Sequence, residues 1–173
     1  MRMRSYARRI AIDAFLTAIA LALSIAESFI PPFIPVPGVK IGIANIVTVY
    51  AILEVGKADA VQILLTRIFL SFIFAGQTVS LLFSLTGGVM CLMLMCIMTR
   101  VISKDQIWVL SIIGALAHNI GQIAVAVILA GNKGVLLYLP VLIISGIITG
   151  AATGILAQIF ISRTHGKIYK NAR

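Results

Sequence analysis

The sequence predicts an all-α integral membrane protein of six transmembrane helices with both termini in the cytoplasm, and three observations predict it. Of the 173 residues, 61% are hydrophobic and only 11% are charged, with a mean hydropathy of +1.12. No water-soluble domain of this size has such a composition. Six apolar runs approach or exceed the length needed to cross a hydrocarbon core of about 30 Å. The basic residues collect on alternate connections between those runs, as the positive-inside rule requires. Six helices leave nothing over for a soluble domain, so residues 1–173 are expected to form one membrane domain.

The first run, residues 9–30, follows a basic stretch as a signal peptide would. It is about twenty residues long, however, and no small-residue cleavage site precedes Glu27, so it is expected to remain as a span. Within it Ala14, Ala18, Ala22 and Ala26 recur every four residues and draw a side-chain-poor stripe that another helix can approach closely. The connection from Ile30 to Lys40 contains Pro31, Pro32, Pro35, Pro37 and Gly38, and is expected to be a stiff extended loop. The second run, residues 41–55, is short for a span, and the third, 58–75, carries Arg67. The fourth, 79–99, holds Gly87 and Gly88 together with Cys91 and Cys96. Those cysteines are five residues apart and on different faces, so they read as packing residues rather than a disulfide or a metal site. The fifth run, 107–130, contains His118, Asn119 and Gln122. The sixth, 135–161, repeats glycine at positions 146, 150 and 154, a spacing expected to pack against another helix of the same chain.

The net charge of +9 follows from topology. With the N-terminus inside, Arg2, Arg4, Arg8, Arg9, Lys57, Arg100, Lys104, Arg163, Lys167, Lys170 and Arg173 are cytoplasmic, and only Lys40 and Lys133 lie outside. Attraction to anionic lipid accounts for the basic balance, and no nucleic-acid partner is expected.

Polar groups inside the membrane cost on the order of 3 kcal/mol each on insertion scales and usually face inward. Arg67 lies about nine residues into its span, roughly 14 Å deep. Its guanidinium cannot lose its proton and must find a carboxylate, carbonyls or an anionic ligand. Glu54 and Asp59 are expected at the cytoplasmic turn and Glu27 near the outer surface, so none stands at the depth of Arg67. His118, Asn119 and Gln122 sit about ten residues into the fifth run, at nearly that depth. His118 and Gln122 share a face with Ser111 and Ala115. These groups suit a polar ligand with an anionic part, with Asn45 and Lys40 lining an outward entrance and the proline loop as a lid. They also suit interhelical hydrogen bonds, and the sequence leaves both uses open.

Four stretches carry a resemblance: Pro37-Gly-Val-Lys-Ile-Gly-Ile-Ala-Asn45, Arg67-Ile-Phe-Leu-Ser71, Ser84-Leu-Thr-Gly-Gly88 and Ala117-His-Asn-Ile-Gly-Gln122. From about Ile10 to Ile161 the chain resembles the family called heptaprenyl diphosphate synthase component I, or the Gx transporter family. That family is similar to the S components of energy-coupling factor (ECF) transporters. The resemblance implies an S-component-like bundle in a prokaryotic cytoplasmic membrane, with a binding site toward the outside. It also implies docking of Ala14, Ala18, Ala22 and Ala26 on the T subunit of an ATPase module.

The synthase half of the family label fits less well. Prenyl diphosphate synthases hold magnesium through aspartate-rich motifs that neutralise the leaving diphosphate. Here the acids are Asp13, Glu27, Glu54, Asp59 and Asp105, all isolated along the chain. There is no phosphate-binding glycine loop or Ser-His-Asp constellation either. The expectation is a non-enzymatic, cofactor-free subunit that captures a small, partly anionic molecule for uptake with an ATPase-driven partner. The alternative is a membrane subunit of a quinone-, isoprenoid- or flavin-linked electron-transfer system.

Overall fold

The computed structural model describes residues 2–29 and 42–164. Among them the chain forms α1 (Arg2–Ser28), α2 (Asn45–Tyr50) widening into a π-helical turn over Ala51–Val55, α3 (Lys57–Ala75), α4 (Thr78–Met98), α5 (Ile107–Ala130) and α6 (Leu139–Thr164). Short 3-10 turns at Lys104–Gln106 and Lys133–Tyr138 lead into α5 and α6. Pro140 stands in the first turn of α6, where its missing N–H costs no hydrogen bond. The basic stretch of α1 is helical well ahead of residue 9, because a helix of good formers such as arginine does not stop where the apolar run does.

Among the described residues, five helical stretches are long and apolar enough to cross a membrane: Tyr6–Ser28, α3, α4, α5 and Lys133–Arg163. The expected second span is shorter than the others. Residues 42–44 make a turn, in which the Asn45 N–H donates to the Gly42 carbonyl at 2.9 Å, and the helix runs only from Asn45 to Val55. At 1.5 Å per residue it rises about 16 Å, half of the hydrocarbon core.

Side-chain bridges fix which helix ends lie together. Arg9 of α1 grips Asp59 at the start of α3 through Nε at 2.9 Å and Nη2 at 2.8 Å. Lys57 Nζ donates to the Cys96 carbonyl at the end of α4 (2.7 Å), and Gln158 near the end of α6 donates to the Asp105 carbonyl ahead of α5 (2.8 Å). One end of the bundle is therefore basic. At the opposite end of α1, Glu27 accepts the N–H groups of Gly42 and Ile43. Since Arg9 and Glu27 stand at opposite ends of α1, the stretch from Gly42 to Asp59 carries the chain from one end of the bundle to the other. Gly56 makes the reversal into α3: its φ of 147° is open to glycine, and its N–H closes on the Ala51 carbonyl at 2.8 Å.

The helix α5 lies between α4 and α6, α1 runs along α3, and α2 reaches α5 and α6. The closest approaches use glycine, as the spacing in the sixth run predicts. A Cβ on Gly154 would lie 2.5 Å from Trp108 Cα, and one on Gly150 would lie 2.7 Å from Ile112 Cα. Gly87 of α4 meets Gly121 of α5 in the same way, at 2.9 Å from that Cβ position to Gly87 Cα. Without a hydrophobic drive between helices in lipid, such contacts supply the dispersion that holds them. Cys91 packs with Met95 against Gly114, with Sγ and Sδ 3.3 Å apart.

Gly154→Ala, which drives a methyl against backbone, should lower the unfolding free energy by about 1–3 kcal/mol in detergent. The exposed Ala152→Leu on the same helix should leave it unchanged. Equal thermal and denaturant midpoints for the two variants would refute this account of the α5–α6 interface.

Candidate functional site

The apolar core is interrupted at one depth. Toward the basic end it is built from Leu16, Ile63, Leu64, Leu92, Met95 and Leu110 among others. Toward the other end lie smaller clusters around Ile123 with Leu142, and Phe83 with Val125 and Ala126. Between them sit Asn45, Arg67, His118, Asn119 and Gln122, all at or below 7% exposure, and Glu27 at the end of α1 is equally buried.

Each helix delivers its polar group by its own inward stripe. On α3, Ala60, Ile63, Leu64 and Ile68 face the core at helical spacing, and Arg67 falls on that face. On α5 the same holds for Leu110, Ser111, Gly114, Ala115, His118 and Gln122. Glycine makes room for the imidazole of His118. A Cβ on Gly87 would lie 2.9 Å from both Cε1 and Nδ1, and one on Gly42 would lie 3.7 Å from Cδ2. The adjacent Gly88 abuts Leu64 and Ile68, which flank Arg67 on α3. The paired glycines of α4 thus set the third and fifth helices around one level.

Glu27 stands at the end of α1 away from Arg9, as counting along the chain puts it, but it is buried there. Its carboxylate takes the Gly42 and Ile43 N–H groups, the latter at 3.2 Å. The signal for burial was present in the first run: the alanine stripe takes the outward face, which leaves Leu16, Ala20, Ser24 and Glu27 inward.

The other expected residues divide. Arg67, His118, Gln122 and Asn45 belong to the layer, with the Asn45 amide against Gly42. Asn119 is buried too but is turned toward α6, where Nδ2 donates to the Leu142 carbonyl at 2.7 Å beside Gly146. Lys40 and the proline loop lie outside the described residues. Gln122 differs from its neighbours. It is fully buried, and neither its Nε2 nor its Oε1 has a hydrogen-bond partner among the described residues.

The chain matches the model of the family described as heptaprenyl diphosphate synthase component I over residues 16–160. The chain belongs to that family. No curated protein and no solved structure matches it. Every described member of the polar layer falls inside the matched span of this component I chain.

A second feature lies on its surface. Ala14, Ala18, Ala22 and Ala26 are all exposed, so the bundle itself does not use the stripe. Ala14 and Ala18 border a groove of ≈370 Å³ between α1 and α3, with Gln62 and Thr66 across it. Asp13, also in the groove, has Oδ1 without a hydrogen-bond partner among the described residues. Asp13, expected to be isolated, lies within electrostatic reach of both Asp59 and Arg9. Folding thus brings two of the scattered acids near each other. Arg9 bonds to Asp59 between them, and among the described residues no three His, Cys, Asp or Glu side chains gather in a metal-binding group.

An unpartnered buried amide lowers the stability of the fold. Gln122→Leu, close in volume and unable to hydrogen-bond, should raise the stability of the ligand-free protein by about 1 kcal/mol or more. A lower unfolding midpoint for this variant would mean that the amide is satisfied in the empty protein.

Proposed function

We propose that this component I chain is a non-catalytic capture subunit of the membrane. It takes a small, partly anionic molecule from the outer side and passes it inward in company with an ATPase-driven module. The single observation that carries this reading is the polar layer itself. A permanently charged guanidinium, an imidazole and an unpartnered amide are buried within an otherwise apolar bundle. Ionisable groups within membrane helices mark substrate or ion pathways more often than they serve stability.

In this reading Arg67 binds the anionic part, since guanidinium forks match carboxylate and phosphate oxygens. Gln122 supplies a donor and an acceptor beside it, and His118 shapes the wall. Asn45 and Lys40 line the approach, and Asn119 ties α5 to α6 behind the site. The segment from Gly42 to Asp59 completes six crossings, which sets both termini on the basic, cytoplasmic side. The exposed alanine stripe receives a helix of the T subunit, and Asp13 accepts a hydrogen bond from it.

The family's own description favours a second reading, in which the bundle handles an isoprenoid for a quinone-linked or electron-transfer system. A prenyl diphosphate is itself an anion with an apolar tail, so the same layer serves that ligand class. Catalysis by this chain alone is not part of either reading.

Native mass spectrometry of the protein released from mildly solubilised membranes separates the readings. A bound small molecule lost in Arg67→Gln, with ATPase subunits attached, supports capture for uptake. A prenyl or quinone mass with redox partners selects the second reading, and full retention of the ligand by Arg67→Gln overturns the role of the guanidinium. Ala18→Leu fills the stripe and should release any attached helical subunit without loss of the small molecule, because the stripe lies on the opposite face of α1 from Glu27.

A further inference from the structure

A cavity of ≈300 Å³ opens between the ends of α1, α3 and α4 that lie away from the basic pole. Its polar wall is made by Ser24 and Ser28 of α1, Ser71 of α3, and Gln77 and Ser80 where α4 begins. Aromatic rings of Phe29 and Phe74 close the sides. Among the described residues no charged side chain lines it.

Its position relates it to the polar layer. Ser71 follows Arg67 by four residues and stands one turn above it on the same face of α3. Next to the cavity a further void of ≈10 Å³ is lined by Ser71, Ser80 and Ser84 and equally by Phe72, Ala75 and Leu81, the room of about one water molecule. Ile68 abuts Gly88, and Ser84 lies one turn from Gly87, which receives the ring of His118. Ser71 and Ser84 thus stand one turn from the positions on α3 and α4 that carry Arg67 and receive His118. Walls facing lipid are apolar, and a cluster of serines with a glutamine is the lining of a wet passage.

We propose that this cavity is the outer subsite of the ligand bound at Arg67, an antechamber that admits the anionic group and then holds the uncharged, hydrogen-bonding part of the molecule. The proposal rests on the reading of Arg67 as an anion site. Hydroxyl and amide groups recognise hydroxyl, carbonyl and amide functions equally. The volume is at the lower end of ligand pockets, about 300–1,000 Å³, which selects a compact molecule. The Phe29 and Phe74 rings give its non-polar surface a place. The entrance is then between α1, α3 and α4.

Cysteine labelling of the full chain in neutral-lipid nanodiscs tests this without knowledge of the ligand. The background is Cys96→Ser, with the buried Cys91 retained. The probes are an anionic sulfonatoethyl and a cationic trimethylammonioethyl methanethiosulfonate, and the reference site is Thr78→Cys on the exposed rim. Relative to that site, Ser71→Cys and Ser80→Cys should react several-fold faster with the anionic reagent than with the cationic one. At position 71 the preference should vanish in Arg67→Gln and persist in Arg67→Lys, which keeps the charge and reports on folding. Failure of position 71 to react with either reagent, or equal reaction with both whatever stands at position 67, overturns the antechamber. If the charge preference holds while native mass spectra show no bound anion, the antechamber stands and the capture reading falls. A bound anion without labelling at position 71 has the opposite meaning.

Discussion

A guanidinium in the middle of an apolar bundle is the constraint on which the other features depend. Arg67 cannot be neutralised by giving up its proton, so the surrounding helices must carry the compensation. Glu27 supplies the opposite charge, and in doing so is itself drawn inside. The two N–H groups that Glu27 accepts belong to the turn that starts α2. The entry of the second segment into the bundle is therefore tied, through one carboxylate, to the charge on the third helix. Removing Arg67 would take a positive charge from the surroundings of the buried Glu27, whose carboxylate holds the turn.

The packing shows the same economy of space. Helices that cross at glycine come close enough for backbone to touch backbone, and α5 is held in this way from α4 and from α6. Gly87 has two tasks in that arrangement: it touches Gly121 and leaves room for the imidazole of His118. A side chain at position 87 would push apart the helices and fill the layer at once. Fold stability and site shape are set here by the same missing methyl group.

Much of this was legible in the sequence, for identifiable reasons. Hydropathy marks the long helices because lipid demands an apolar exterior, and the boundaries of α3, α4 and α5 fall within about two residues of the expected runs, the usual uncertainty of helix ends. The glycine repeat of α6 was readable because its only economical use is close packing. The second segment was harder. Its length is decided by a turn at residues 42–44 and a π-helical exit, both set by tertiary contacts that hydropathy does not register. His118, Gln122 and Arg67 could be placed at one depth by counting residues. The burial of Glu27 was not legible, since counting along α1 gives its place near the end of the helix and not what covers it. The direction of Asn119 was likewise invisible, because one residue of helix turns a side chain by 100° and only the position of α6 decides which direction is useful.

The two faces of α1 connect the layer to the surface. The inward face runs through Leu16, Ala20, Ser24 and Glu27, and ends at the charge that balances Arg67. The outward face is the alanine stripe, beside which Asp13 waits with an unpartnered oxygen. A rigid helix cannot move one face without the other. On the proposed function, an anion bound at Arg67 and a partner seated on the stripe would act on the same rigid helix, and each would bias the other only by the difference in its affinity for two positions of that helix.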